Sequence, residues 1–191
     1  MDFSNITVRD CPPYIIAEAG INHNGSLQTA KKLVQIADES GADAVKFQKR
    51  ELKETYVEHL VENPSKGEMG VEYTISNLKE VTLTDEEFKQ IAEFAEETGI
   101  DFLCSPWDEK SVEFLEEIGI PAYKIGSPDL TNFVLLEKVI ETGKPVMIST
   151  GMSEENEIGR TVEFLQQNSV DFAVLHCRST YPAPFHNLNL N

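Results

Sequence analysis

Short continuous apolar runs alternate along this chain with longer stretches whose apolar residues recur every three or four positions. The runs are Tyr14 to Ala17, Ala44 to Gln48, Phe102 to Ser105, Ala122 to Ser127, Val146 to Thr150 and Phe172 to Cys177. Each run after the first follows one recurring phrase: Glu39-Ser40-Gly41, Glu97-Thr98-Gly99, Glu117-Ile118-Gly119, Glu141-Thr142-Gly143, and a weaker copy, Gln167-Asn168-Ser169. A glycine there reads as a helix stop, because it takes φ > 0 at little cost. The phrase therefore predicts helix end, tight turn, buried strand. The stretches before the stops read as amphipathic helices. Thr84 with Glu87 makes a capping box, with Leu83 and Phe88 as a hydrophobic staple. Asp108, Asn132 and Ser153 are the predicted caps of the later helices, and Ser26 or Thr29 of the first. Continuous apolar strands alternating with such helices predict a parallel sheet covered on both faces. That leaves a doubly wound sheet or a (β/α)8 TIM barrel. No GxGxxG follows the first strand, which weakens the dinucleotide-binding version.

One segment breaks the rhythm. Residues 49–81 are polar and lack a clear period, and they read as a long loop after the second strand. Loops of that length in compact domains are functional or mobile. The segment reads as a lid, with Tyr56 and Tyr73 as anchors, or as a surface insertion.

Composition narrows the picture. The chain has 191 residues, 40% hydrophobic and 26% charged, which suits one soluble domain with a sizeable core. A formal net charge of -17 argues against nucleic acid or an anionic membrane as partner. No run is long enough to span a membrane, and no signal peptide is seen. Three cysteines without CxxC spacing suggest a reducing cytoplasm, with no disulfide framework or zinc site.

The candidate chemistry lies at the strand tips, where sites of parallel α/β sheets form. Those tips carry Glu18 with Asn22-His23-Asn24-Gly25, Lys46 and Gln48, Ser105, Lys124 with Ser127 and Asp129, Ser149 and Thr150, and His176, Arg178, Ser179 and Tyr181. An ammonium on a covered strand is costly unless an anion meets it. Lys46 and Lys124 each lie two residues after a small residue on the same strand face, Ala44 and Ala122. They are predicted either to grip an anionic ligand, helped by the serine hydroxyls, or to pair with carboxylates such as Glu18 and Asp129. His23 is a site residue or a bond to its own loop. His176 is a core histidine or a ligand. His59 and His186 read as surface residues, Cys104 and Cys177 as small buried fillers, and Trp107 as a wall of the site or packing. The acidic runs, Asp85-Glu86-Glu87 among them, read as solvated helix faces.

Six motifs, in order, resemble those of the N-acetylneuraminate (sialic acid) synthase family. They are Ile15 to Gly25 (IIAEAGINHNG), Val45 to Gln48, Ser105 to Asp108 (SPWD), Pro121 to Ser127, Ile148 to Met152, and Leu175 to Cys177 with Ser179 to Pro182. The resemblance implies a (β/α)8 barrel that condenses phosphoenolpyruvate with an N-acyl amino sugar such as N-acetylmannosamine, giving a nonulosonic acid and phosphate. By motif position, Lys46, Ser105, Lys124, Ser127, Ser149, Ser179 and Tyr181 would hold phosphoenolpyruvate. Glu18 and Asp129 would serve the sugar and the proton transfers, and Asn22 belongs to the same opening motif. The family commonly has glutamate where Asp129 stands, and often asparagine where Ser179 stands.

The resemblance also implies a divalent metal, manganese or magnesium. Its two histidine ligands lie, in the family, on strands beyond the six read here, and neither His176 nor His186 matches them. The expectation is thus a partial barrel domain over 1–191, a truncated cytoplasmic synthase and possible homo-oligomer. The alternative is an inactive remnant that binds an anion or a partner.

Overall fold

The computed structural model describes residues 12–66, 70–180 and 182–188. The fold class is α/β, that of (β/α)8 barrels, with six parallel strands among the described residues. The helix stops behave as their chemistry requires: Gly41, Gly99, Gly119 and Gly143 hold φ of 77°, 90°, 82° and 69°. The weaker copy places Ser169 in the same left-handed region, at φ 57°.

The chain divides into two compact units, within residues 10–121 and 122–191. The first begins with β1 (Ile16–Gly20), α1 (Leu27–Glu39) and β2 (Ala44–Lys49). Short helices α2 (Leu52–Thr55) and α3 (Glu58–Glu62), a 3-10 turn at Pro64–Lys66 and α4 (Val71–Val81) follow. The unit closes with α5 (Asp85–Thr98), β3 (Asp101–Pro106) and α6 (Glu109–Ile118). Strand β2 pairs in parallel with β1 on one side and β3 on the other. Its residues Ala44 to Phe47 are all buried, as a covered central strand requires. Val34, Phe47, Ile91 and Leu103 form the middle of this core.

The second unit contains β4 (Tyr123–Ile125), α7 (Phe133–Ile140), β5 (Val146–Ser149), α8 (Glu155–Gln167) and β6 (Phe172–Leu175). Strand β5 is parallel to both β4 and β6. Tyr123, Ile125, Leu135, Leu136, Val146 and Leu165 are its core.

The caps follow the sequence closely. Ser26, Thr84, Asp108 and Asn132 each accept a backbone N–H in the first turn of their helices, and Thr84–Glu87 forms the full capping box. The last cap differs: α8 starts one residue later, with Glu154 as N-cap reciprocating with Glu157. A carboxylate at that position also complements the helix dipole, which Ser153 would not do.

Residues 49–81 are mostly helical rather than an open loop. Helix α4 buries Ile75 and Leu78, and α3 buries Val61. Two apolar residues three apart, flanked by polar ones, give a stripe too narrow to stand out as a period. Tyr73 is 72% exposed and anchors nothing, while Tyr56 is half-buried.

Helix α4 ends against the turn that follows β1. A Cβ built on Gly25, whose φ is 72°, would lie 2.5 Å from the carbonyl oxygen of Glu80. Gly25→Ala therefore combines left-handed backbone cost with a clash against backbone. It should lose at least ~2 kcal/mol of stability, read as a lower urea midpoint with unchanged slope.

Candidate active site

The strand tips of each unit gather a different kind of group. In the first unit the register sets Glu18 of β1 directly beside Lys46 of β2. Their side chains meet at 2.7 Å, with Lys46 4% exposed and Glu18 59% exposed. Lys46 Nζ also lies 3.5 Å from the hydroxyl of Ser105, two residues beyond its register partner Leu103 on β3. The structure thus brings Glu18, Lys46 and Ser105 together, and for Lys46 the carboxylate-pairing alternative is the arrangement observed. The pair is asymmetric: one charge is buried and the other faces solvent.

Asn22 stands apart from them, exposed in the turn, with its backbone N–H on Ala19 O at 3.0 Å. His23 is buried at 2% exposure and bonds its own loop, its Nδ1 accepting the N–H of Gly25 at 3.2 Å. Burial pushes its imidazole below the ordinary value, against a smaller pull upward from Glu87. His23 therefore sits as a neutral ring against Phe47, 6.0 Å between centroids.

In the second unit Ser127, Gly151 and Ser179 converge. The N–H of Gly151 donates to Ser127 Oγ at 3.0 Å. A Cβ on Gly151 would overlap Ser179 Oγ and stand 2.8 Å from Ser127 Oγ, so only glycine lets the hydroxyls come this close. Ser149 is buried at the end of β5, and Lys124 is half-buried in the middle of β4. Asp129 Oδ1 accepts from Asn132 Nδ2 at 3.1 Å, at the start of α7. Thr150 spends its hydroxyl on Leu175 O, 2.8 Å away. Tyr181 lies outside the described residues. His176 is exposed, with Nε2 2.6 Å from Leu188 O, and so is not the core histidine its strand suggested. Val174 on the same strand is 45% exposed: β6 is not covered as the inner strands are.

Three features escaped the sequence reading. Lys49, on the opposite face of β2 from Lys46, is 3% exposed. It pairs with Glu51 and, at 3.0 Å, with Asp85, and lies 5.1 Å and 5.8 Å from the ring centroids of Phe114 and Phe88. Burial works to lower its pKa, but hydrogen bonds to the two carboxylates outweigh that and raise it. Asp85 is accordingly an ion-pair partner rather than part of a solvated face. Arg50 stacks 4.2 Å above the Trp107 ring and donates to Gln48 Oε1 at 2.6 Å. Asp108 accepts from the backbones of Ser111 and Glu51, at 2.8 Å and 2.7 Å, and so ties the start of α6 to the end of β2. Cys104 is a filler, as read from the sequence: burial pushes its thiol up to about 12, which keeps it unreactive.

The metal implied by the resemblance finds no matching donors. Among the described residues no three His, Cys, Asp or Glu side chains group to hold a metal ion. Glu18, the site's first carboxylate, is engaged by Lys46. No step is therefore assigned to a metal on these residues.

Comparison with known proteins identifies relatives over almost the whole chain. The NeuB family model matches residues 33–191. Human N-acetylneuraminate-9-phosphate synthase is 37% identical over 181 residues, which cover 94% of this chain and 50% of that protein. The N,N'-diacetyllegionaminic acid synthase of Campylobacter jejuni is 38% identical, with 92% and 54% covered. The crystal structure of an N-acetylneuraminic acid synthetase from Leptospira borgpetersenii, in complex with citrate, superposes with a TM-score of 0.81 at 30% identity over 96% of this chain and 62% of that one. The chain spans about half the length of these curated relatives.

The buried groups make three changes measurable. Glu18→Gln leaves the Lys46 ammonium buried beside a distant hydroxyl and should cost ~2–3 kcal/mol in urea unfolding. Lys46→Met removes the buried charge and leaves Glu18 in solvent, so it should cost under ~1 kcal/mol by the same measurement. For His23, the folded state binds fewer protons than the unfolded state below pH ~6.5, so stability should fall as pH drops through that point. His23→Asn, which keeps an acceptor for Gly25 but does not titrate, should flatten that part of a stability–pH profile.

Proposed function

Since the chain belongs to the NeuB family, we propose that it acts at the phosphoenolpyruvate end of a sialic-acid-type synthase reaction. In that reaction phosphoenolpyruvate and an N-acyl amino sugar condense to a nonulosonic acid and phosphate. The relatives are sialic-acid-type synthases by name, which supports the class of reaction.

The observation that carries the reading is the asymmetry of the Lys46–Glu18 pair. The ammonium is committed to the interior, while its partner is 59% exposed. Because Glu18 faces water, it can leave as an incoming anion arrives, so that the buried ammonium is never left uncompensated. A substrate carboxylate or phosphate then takes its place on Lys46. Lys49, whose carboxylate partners are similarly open, has two of them, whereas Lys46 has Glu18.

In this reading Lys46 and Ser105 are the first unit's ligands for phosphoenolpyruvate. Lys124, Ser127, Ser149, Ser179 and Tyr181 are those of the second. Lysines supply point charges to phosphate, and serine hydroxyls and the Gly151 backbone shape the small polar cradle around it. C3 of phosphoenolpyruvate attacks the aldehyde carbon of the open-chain sugar, forming the new C–C bond while the aldehyde oxygen gains a proton. Water adds at C2, losing a proton, and phosphate departs from that carbon by C–O cleavage. Glu18, once released from Lys46, and Asp129 are the carboxylates available for those proton transfers, and Asn22 is a polar group beside the sugar.

The test is direct. The chain is incubated with phosphoenolpyruvate and N-acetylmannosamine, with and without manganese, and phosphate release is followed; phosphoenolpyruvate binding is measured by calorimetry. Binding of phosphoenolpyruvate is expected, with Lys124→Ala weakening it by ~10- to 100-fold, the worth of one charge-assisted contact. Absence of binding by the parent chain, or unchanged binding in Lys124→Ala, overturns the reading. Binding without phosphate release favours an anion-binding role for this chain.

A further inference from the structure

Gln48 is held in one orientation by groups that the proposed chemistry does not use. It lies two residues beyond Lys46 on β2, hence on the same face and one step nearer the strand tip. Its Oε1 accepts from Arg50 Nη2 at 2.6 Å. A guanidinium has donors only, so the amide atom facing it has to be the oxygen. The amide nitrogen is then turned the other way, beside the tip of β1: a Cβ built on Gly20 would stand 3.6 Å from Gln48 Nε2.

Arg50 is itself fixed. Its guanidinium stacks 4.2 Å from the centroid of Trp107. The backbone N–H of Trp107 donates to Lys49 O at 3.1 Å, which locks the ring to the end of β2. Trp107 Nε1 is buried without a hydrogen-bond partner, so Trp107 acts through its ring face and not through its N–H.

We propose that Arg50, seated on Trp107, is a positioning residue that fixes the Gln48 amide with its NH2 group presented as a donor on the Lys46 face of β2, for an oxygen acceptor of the N-acyl sugar. Without Arg50 the amide can flip and offer oxygen and nitrogen alternately, halving its value as a donor and removing its selectivity for an acceptor. This inference rests on the sugar-acid synthase reading above and adds to it how the acceptor sugar is oriented.

The test uses the 15N-labelled chain, with the Gln48 side-chain NH2 resonances assigned by their loss in Gln48→Glu. N-acetylmannosamine and phosphoenolpyruvate are titrated separately. The Gln48 NH2 pair should move on addition of N-acetylmannosamine. Arg50→Met and Trp107→Ala should each weaken sugar binding by about tenfold while leaving phosphoenolpyruvate affinity within about twofold. Trp107→Phe keeps the stack, removes the unpartnered N–H, and should bind the sugar like the parent. Where Arg50→Met fails to fold, the contrast between Trp107→Ala and Trp107→Phe decides. The inference is overturned if the parent binds phosphoenolpyruvate but not the sugar, if the Gln48 resonances stay still, or if Arg50→Met and Trp107→Ala keep the parent's sugar affinity. A parent that binds no phosphoenolpyruvate overturns the functional reading instead, and this inference with it.

Discussion

A buried ammonium on a covered parallel strand is the constraint around which the first unit is arranged. Strand β2 has partners on both sides and helices over it, and Ala44 to Phe47 are buried. Lys46 can occupy its position only because the β1 register sets a carboxylate beside it, at 2.7 Å. That requirement reaches back along the chain. The register of β1 on β2 is held at its start by Asp43, whose carboxylate accepts the N–H of Ile15 at 2.6 Å. A slip of one residue would turn Glu18 to the other face and leave the lysine uncompensated.

The same strand shows a second solution to the same problem, and the contrast separates structure from function. Lys49 is as buried as Lys46, but on the opposite face. It has two carboxylates and two aromatic rings, and the raised pKa shows that its partners outweigh burial. Such a lysine stays charged up to pH ~10.4 and beyond, and its stabilisation is lost only as pH rises through the raised value. It ties β2 to the first turn of α5. Lys46 has one firm partner, and that partner is largely in water. The two lysines thus differ in how many carboxylates compensate them: two for Lys49, one for Lys46.

The alternation of strands and helices was legible because it is written in the strongest signals a chain has: glycines where φ must be positive, caps three residues from a glutamate, and unbroken apolar runs. Five phrases of one form announced five turns, including the one where Ser169 replaces glycine and still adopts positive φ. The tips of the strands were legible too, because period-2 alternation puts Lys46 and Gln48 on one face. What stayed hidden was everything that depends on who meets whom across the chain. Asp85 reads as a solvated first-turn acid until β2 brings Lys49 to it. Arg50 and Trp107 are 57 residues apart and carry no motif that joins them. Helix α4 was masked by polarity, since only Ile75 and Leu78 face inward. Local physics fixes elements; partner choice follows only from packing.

The two sets of tips differ in how they would meet an anion, and the difference is physically sensible for a substrate with both charge and bulk. In the first unit the group is the Lys46 ammonium, paired with Glu18. The second unit has a lysine of its own, Lys124, and adds geometry: Gly151 admits two hydroxyls where any side chain would exclude them, and one of them already accepts the Gly151 N–H. A hydroxyl that accepts from a backbone amide keeps its own proton free to donate elsewhere. Ser127 is thereby set as a donor without needing a charge beside it. Long-range attraction from a lysine and short-range orientation from a serine are different physical services.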